Sequence, residues 1–506
     1  MQINRRSGAG YALAFRRGIR PAKHRWVAVC FASLTMATAL PAAAARCYVN
    51  AAANGGNTGA SWVHAYVSVQ SALVNPVCTE VWVARGVYKP VVPANIGSVT
   101  VGERAASFNI GVGVAVYGGF FGGETNRSSR DPISHVTILS GDLDNNDDSN
   151  NVDGNFVNES SSEIVGSNSR HIVMMNGTAG IPITASTVLD GFTLTAGDNT
   201  NNNDGGGALW CRGSGAGRGC SPTLAKLRAS GNRANSGGAM AFIGHSGGAS
   251  SPALTDIAFS GNSANTFGGA MFNYAEASGT SSPTLTRVTF SGNSSTQFGG
   301  AMVSDGTAGG TSNPTLVNVT FVGNSANSGG AMFNNGGGGN SNPTLTNVTF
   351  TGNSASQGGA MYNFGGTNGH SDPTLNSVIL WGNTATLSGP ELFHLAGPGS
   401  TAQTFIFYGV IEGDCQGNMA CANTSASNPL LGVMTNNGGF TPTVMPGVGS
   451  SAINAVPCFL APLTDQRGFV RPDPASAGLT KRCDMGAVEA GSFFTELVFK
   501  NGFESP

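Results

Sequence analysis

Between residues 205 and 390 the apolar positions follow a period of two in short runs, broken by turns. In Pro343-Thr344-Leu345-Thr346-Asn347-Val348-Thr349-Phe350, Val348 and Phe350 share one face while Asn347 and Thr349 take the other. Thr, Val and Phe suit a pleated, half-buried surface. Gly352-Asn353 then turns the chain, and Gly359-Ala360-Met361-Tyr362-Asn363 reads as a second short strand. No segment here has helical periodicity long enough for a helical repeat.

The pattern repeats. Pro222, Pro252, Pro283, Pro314, Pro343 and Pro373 mark six units at steps of 30, 31, 31, 29 and 30 residues. A Gly-Asn pair follows each proline at the same offset, ending in Asn232, Asn262, Asn293, Asn324, Asn353 and Asn383. Gly-Gly-Ala-Met recurs at 237–240, 268–271, 299–302, 329–332 and 358–361, and Gly206-Gly207-Ala208-Leu209 opens the series. One such unit cannot bury its apolar face alone, but stacked units can. Rungs would then lie about 4.8 Å apart. Phe259, Phe290, Phe321 and Phe350 are expected to form an internal column, and Asn262, Asn293, Asn324 and Asn353 a ladder of side-chain amides. The predicted fold is all-β: a right-handed parallel β-helix, a pectate-lyase-like solenoid with capped ends.

Composition agrees with a chain of many tight turns. Gly supplies 75 of 506 residues and charged residues only 10%, whereas 40% are hydrophobic, which excludes a charge-rich disordered chain. Gly lacks the three-residue period of collagen. The net charge is −2, and no basic stripe follows residue 25, so nucleic acid is set aside as a partner.

The start of the chain reads as an export signal over residues 1–45. Arg5, Arg6, Arg16, Arg17, Arg20, Lys23 and Arg25 precede an apolar run from Trp26 to Leu40, and small residues follow at Ala42–Ala45. That run is short for a membrane span, and no later segment is apolar enough to be one. The expected location is extracellular or at the outer-membrane surface. Eight cysteines remain beyond the signal, an even number that suits disulfides in an exported chain. They fall in sequence-local pairs, proposed as Cys47–Cys78, Cys211–Cys220, Cys415–Cys421 and Cys458–Cys483. The mature chain divides into an N-terminal β-helical region with a cap and an acidic loop (46–204), the regular repeats (205–400), a disulfide-bearing region (401–490) and a tail (491–506).

Phe259-Ser260-Gly261-Asn262 and its counterparts at 290–293, 321–324 and 350–353 match FxxN. Together with Gly-Gly-Ala-Met they resemble the FxxN and GGA[ILV] repeats of the polymorphic outer-membrane protein (Pmp) family. The resemblance implies a β-helical surface passenger tied to adhesion. Met stands here for the usual aliphatic residue, Ala229 replaces the first Phe, and Leu380 the last. The flanks are similar to bacterial choice-of-anchor proteins: Glu80-Val81-Trp82-Val83-Ala84-Arg85-Gly86-Val87-Tyr88 and Val116-Tyr117-Gly118-Gly119-Phe120 near the start, Asp465-Gln466-Arg467-Gly468 and Cys483-Asp484-Met485-Gly486-Ala487-Val488-Glu489 near the end. Residues beyond the last repeat hold few alternating strands of the kind that build an export barrel.

Candidate chemistry is sparse. Within 221–390 the acids are Asp256, Glu276, Asp305 and Asp372, out of phase with the repeat, and read as solvated single charges. Asp142, Asp144, Asn146, Asp148 and Asp153 copy slots 1, 3, 5, 7 and 12 of a Ca²⁺ loop, although Asp147 stands where glycine is expected. The leading expectation is a plain solvated Asn/Asp loop and no cofactor, with calcium held at these five residues as the alternative. Gly244-His245-Ser246-Gly247-Gly248 fits G-x-S-x-G but lies in a repeat turn, not between a strand and a helix. The leading expectation is a non-enzymatic, adhesin-like protein binding surface polysaccharide or protein, with no catalytic residue assigned. The alternative is a polysaccharide lyase or hydrolase whose site uses Arg130, Asp131 and Asp190.

Overall fold

The computed structural model describes residues 45–90, 104–147, 155–178, 180–201, 204–472 and 481–491. The export-signal reading, Asp148, Asp153 and the tail beyond Gly491 lie outside these. The described chain is a parallel β-helix. Its longest sheet has 15 strands and runs from Arg46–Val49 to Met419–Ser425; a second has 9, from Phe108–Asn109 to Leu392–Ala396. Short sheets close the third side, among them the 4-stranded one that begins at Asp198–Asn199. Helix α1, Val69–Val74, sits near the N-terminal end, with the Ser68 hydroxyl accepting from Gln70 N–H at its start.

Register is in phase with the sequence repeat. Leu285 pairs with Leu316, Val288 with Val319 and Phe290 with Phe321. Every one of these side chains is fully buried, as are Met271, Met302, Met332 and Met361 on the opposite sheet. Phe259, Phe290, Phe321 and Phe350 stack at 4.7, 4.8 and 4.7 Å with nearly parallel rings. The Gly-Gly of each unit is required by this closeness. Gly268 has φ +64°, and a Cβ on Gly269 would lie 2.1 Å from the Gly300 carbonyl oxygen of the next rung.

One non-glycine residue per rung takes the left-handed conformation at the fourth place of the long strand: Lys226, Asp256, Arg287, Asn318, Asn347 and Ser377, with φ between 48° and 57°. Pairing skips each of them, so every long strand is bent into two segments. Asn tolerates this conformation; Lys, Arg and Ser gain nothing locally and are held there by the rungs on either side.

All four cysteine pairs are disulfide-bonded: Cys47–Cys78, Cys211–Cys220, Cys415–Cys421 and Cys458–Cys483. The region after residue 400 differs in shape from a simple end domain. It first adds Thr404–Ile411 and Met419–Ser425 to the long sheet. It then turns back and runs over the outer face of that sheet as a strap. Gly486 N–H donates to Ser377 O, Asn347 Nδ2 to Gly486 O, Asn318 Nδ2 to Thr464 O, and Thr289 Oγ1 to Pro442 O. A small core of Ile379, Val410, Ala452, Val456 and Met485 lies beneath it.

Candidate functional site

The strap stops short of the N-terminal rungs. There a groove crosses the outer face of the long sheet, between the strap residues Phe440 and Pro442 and two separate N-terminal segments, one carrying Arg127 and Arg130 and the other Phe156. Three adjoining cavities of about 550, 610 and 930 Å³ make it up. The first two share Arg130 and Lys226. The third is lined by Val87, Val136, Ile138 and Phe156 on its apolar side and by Arg85, Arg228 and one acid, Glu159, among its charged groups.

Cations concentrate here: Arg46, Arg85, Arg127, Arg130, Lys226, Arg228, Arg287 and Arg467 line the groove. Most are already paired. Arg46 lies 3.1 Å from Glu80, Arg130 2.5 Å from Asp190, Arg287 2.6 Å from Asp256 and Arg467 2.7 Å from Asp465. Arg85, Lys226 and Arg228 have no carboxylate partner among the described residues; Arg85 rests over Phe121 and Arg228 over Phe440, at 4.5 and 4.7 Å. Arg228 is half-buried, and desolvation pulls its pKa below the ordinary value. An incoming anion would restore what burial removes.

The residues named for an enzyme do meet at this groove, each already engaged. Arg130 is spent on Asp190 and the Gly118 carbonyl. Asp131 caps its own turn, accepting from Ser134 Oγ and from the N–H groups of Ile133 and Ser134; these bonds, the hydroxyl foremost, hold its pKa below the ordinary value.

Of the candidate calcium ligands, Asp142, Asp144 and Asn146 lie among the described residues, and Asn146 N–H donates to Asp142 Oδ1. Asp142 pairs with Lys89 at 2.9 Å, and Asp144 accepts from Ser167 N–H. Asp147, which stands in the glycine slot, accepts instead from Val165 N–H, Asn158 Nδ2 and Asn168 Nδ2; burial still pushes its pKa up to about 6. Among the described residues no three His, Cys, Asp or Glu side chains form a metal-binding group.

The G-x-S-x-G segment shows a partial relay. Ser246 Oγ lies 2.6 Å from His245 Nδ1, and His245 Nε2 lies 3.6 Å from Glu276 Oε2. The N–H groups of Ser246, Gly247 and Gly248 all donate within the solenoid, to Glu276, Ala277 and His245, so none is left for an oxyanion. The positive φ of Ser246 recurs in phase at Ala277 and Ala308 and is a property of the repeat turn.

Asn262, Asn293, Asn324 and Asn353 are fully buried and form the amide ladder, each Nδ2 donating to the next Oδ1 at 2.9–3.0 Å up to Asn353 and at 2.8 Å from Asn353 to Asn383. They face the interior and belong to no site. The groove cations went unnoticed in the sequence because they come from six separate segments; the weak signal available was Lys226-Leu227-Arg228, two cations in the first repeat unit.

The fold and the groove thus define a disulfide-bonded parallel β-helix with a cationic cleft over its longest sheet. No known protein family, curated protein or solved structure matches the chain.

Proposed function

We propose that this is an exported, non-enzymatic binding protein that holds an acidic polysaccharide in the groove across its N-terminal rungs. The observation that carries this reading is the trio Arg85, Lys226 and Arg228, cations without carboxylate partners among the described residues, lining neighbouring cavities on the outer face of the long sheet of a chain that has few charges. Uronate carboxylates or sulfates are the groups they would pair with, through charge-assisted hydrogen bonds. The apolar wall of Val87, Val136 and Ile138 suits the C–H faces of sugar rings. Four disulfides favour an oxidising compartment, and the repeat's resemblance to surface passengers supports the same location.

The test is binding of the mature chain to a polyuronate, a sulfated glycan and a neutral glucan, with chain length followed by size-exclusion chromatography. The acidic polymers should bind intact, more weakly as salt rises. Arg228→Gln should weaken binding about tenfold or more. Equal binding of the neutral glucan would sink the proposal. Shortened acidic polymer would replace it with the lyase or hydrolase alternative.

A further inference from the structure

The solenoid does not end flush. Its last rung places Thr384–Ser388 and Leu392–Ala396 at the edges of their sheets, each paired on one side only. The long sheet continues past them by two more parallel strands, and the loop stapled by Cys415–Cys421 stands beside them. The result is a step. Its floor is the edge at 389–394, its wall is 412–419, and the space between them is about 640 Å³.

The floor keeps bonding capacity that internal rungs use. In the preceding unit, Gly358, Gly359 and Ala360 donate their N–H groups to the Ser388, Gly389 and Pro390 carbonyls. Gly389 and Glu391 occupy matching places in the last unit, and their N–H groups find no acceptor among the described residues. Pro390 has no N–H to offer. The edge is also apolar where a strand would pack: Leu387 is 75% and Leu395 46% exposed. The wall is acidic, with Glu412 and Asp414, and Glu391 faces the same space with Oε1 buried and unpartnered.

We propose that this step is a docking site for an extended, lysine- or arginine-bearing segment of a partner protein, which adds to Leu392–Ala396 as the next strand of the nine-stranded sheet and sets its cation against Glu412 and Asp414. Strand addition satisfies the free edge, and the wall selects charge. The wall also disfavours a second copy as occupant. From Ala234 to Ser400 the chain carries one Lys or Arg, Arg287, so its regular rungs bring almost no permanent cation to the acids. The site is independent of the groove and of whatever the groove binds.

The probe is a synthetic peptide of the chain's own second-strand sequence, Gly-Gly-Ala-Met-Tyr-Asn-Phe, with two lysines appended. Comparison peptides carry two glutamates instead, or N-methylated backbone amides. Each is titrated against the full mature chain, with hydrogen exchange read at 389–396. The lysine peptide should bind and protect those amides, the other two should not, and Glu412→Gln with Asp414→Asn should weaken it about tenfold. Equal binding of the glutamate peptide, or binding without protection at 389–396, overturns the proposal. So does concentration-dependent self-association that protects the same amides without peptide.

Discussion

Glu391 shows how one residue ends a ladder. Each buried Asn donates to the Oδ1 of the Asn one rung on, and Asn383 has no Asn beyond it. Glu391 takes that place, its Oε2 accepting from Asn383 Nδ2 at 2.7 Å. Burial, with a smaller push from Glu412, raises its pKa to about 8. The carboxyl is therefore neutral in the folded chain across a range where it is ionised in the unfolded one. Its contribution to stability is fully present below pH 4.5 and is lost as pH rises toward 8, by up to about 1.4 kcal/mol per pH unit. Asp147, Asp305 and Glu489 are raised only to about 6, and His171 and His394, whose pKa values burial lowers, work in the opposite sense below about pH 7, so the interval from pH 7 to 8 is where Glu391 dominates. Glu391→Gln keeps an acceptor for Asn383 and should flatten the fall in melting temperature over that interval. An unchanged slope would show that Glu391 titrates normally. This residue escaped notice in the sequence because it stands one position past the repeat window and no carboxylate recurs in phase with it.

At the level of the element, the two amide columns differ in completeness. The first is continuous from Asn232 to Asn383, and each Nδ2 also reaches a backbone carbonyl, as Asn293 does with Phe259 O. Asn293→Ala would orphan the backbone N–H of Asn262 and one hydrogen of its side-chain amide, which keeps its bond to Ala229 O, and should cost about 3 kcal/mol or more, read by chemical denaturation. The second column is broken. Asn334 donates to Asn363 Oδ1 at 2.8 Å, but Ser304 stands between Asn273 and Asn334, and both polar atoms of the buried Asn273 are left without partners. Ser304→Asn should complete it and stabilise the fold by about 1–2 kcal/mol, raising the melting temperature; a lower one would mean the interior has no room for the amide. The first column, the Phe stack and the disulfide pairs were legible because each is a fixed offset or a local spacing. The left-handed column was not, since Lys226, Asp256 and Arg287 are no signal for that conformation. The strap was not either: its contacts join residues far apart in the chain, such as Gln466 with Val288, Thr289 and Thr320, through groups any polar segment carries.

At the scale of the whole molecule the strap is a second layer fastened to the first by polar bonds and by a few buried charges. Arg471 pairs with Glu489 at 2.5 Å and reaches Asn318 Oδ1 at 3.4 Å. Cys458–Cys483 closes a separation of 25 residues within it. Replacing both cysteines by serine should lower stability by about 3.5 kcal/mol on the chain-entropy estimate. The loss should appear as faster hydrogen exchange at 441–471 while the amides of 284–351 stay protected. Uniform loss across both would mean that strap and solenoid unfold as one unit.

The strap touches the rungs in chain order, Phe440 at Arg228, Pro442 at Thr289, Thr464 at Asn318 and Gly486 at both Asn347 and Ser377. It therefore works as a ruler laid along the stack. A solenoid without it would accept a duplicated unit as readily as any other growth of its kind. Here one extra unit between Asn324 and Asn353 would push the outer marks apart by about 4.8 Å while the ruler keeps its length. The number of repeats is thus written twice in this chain, once in the units themselves and once in the segment that counts them, and unequal recombination within the repeats would have to alter both together.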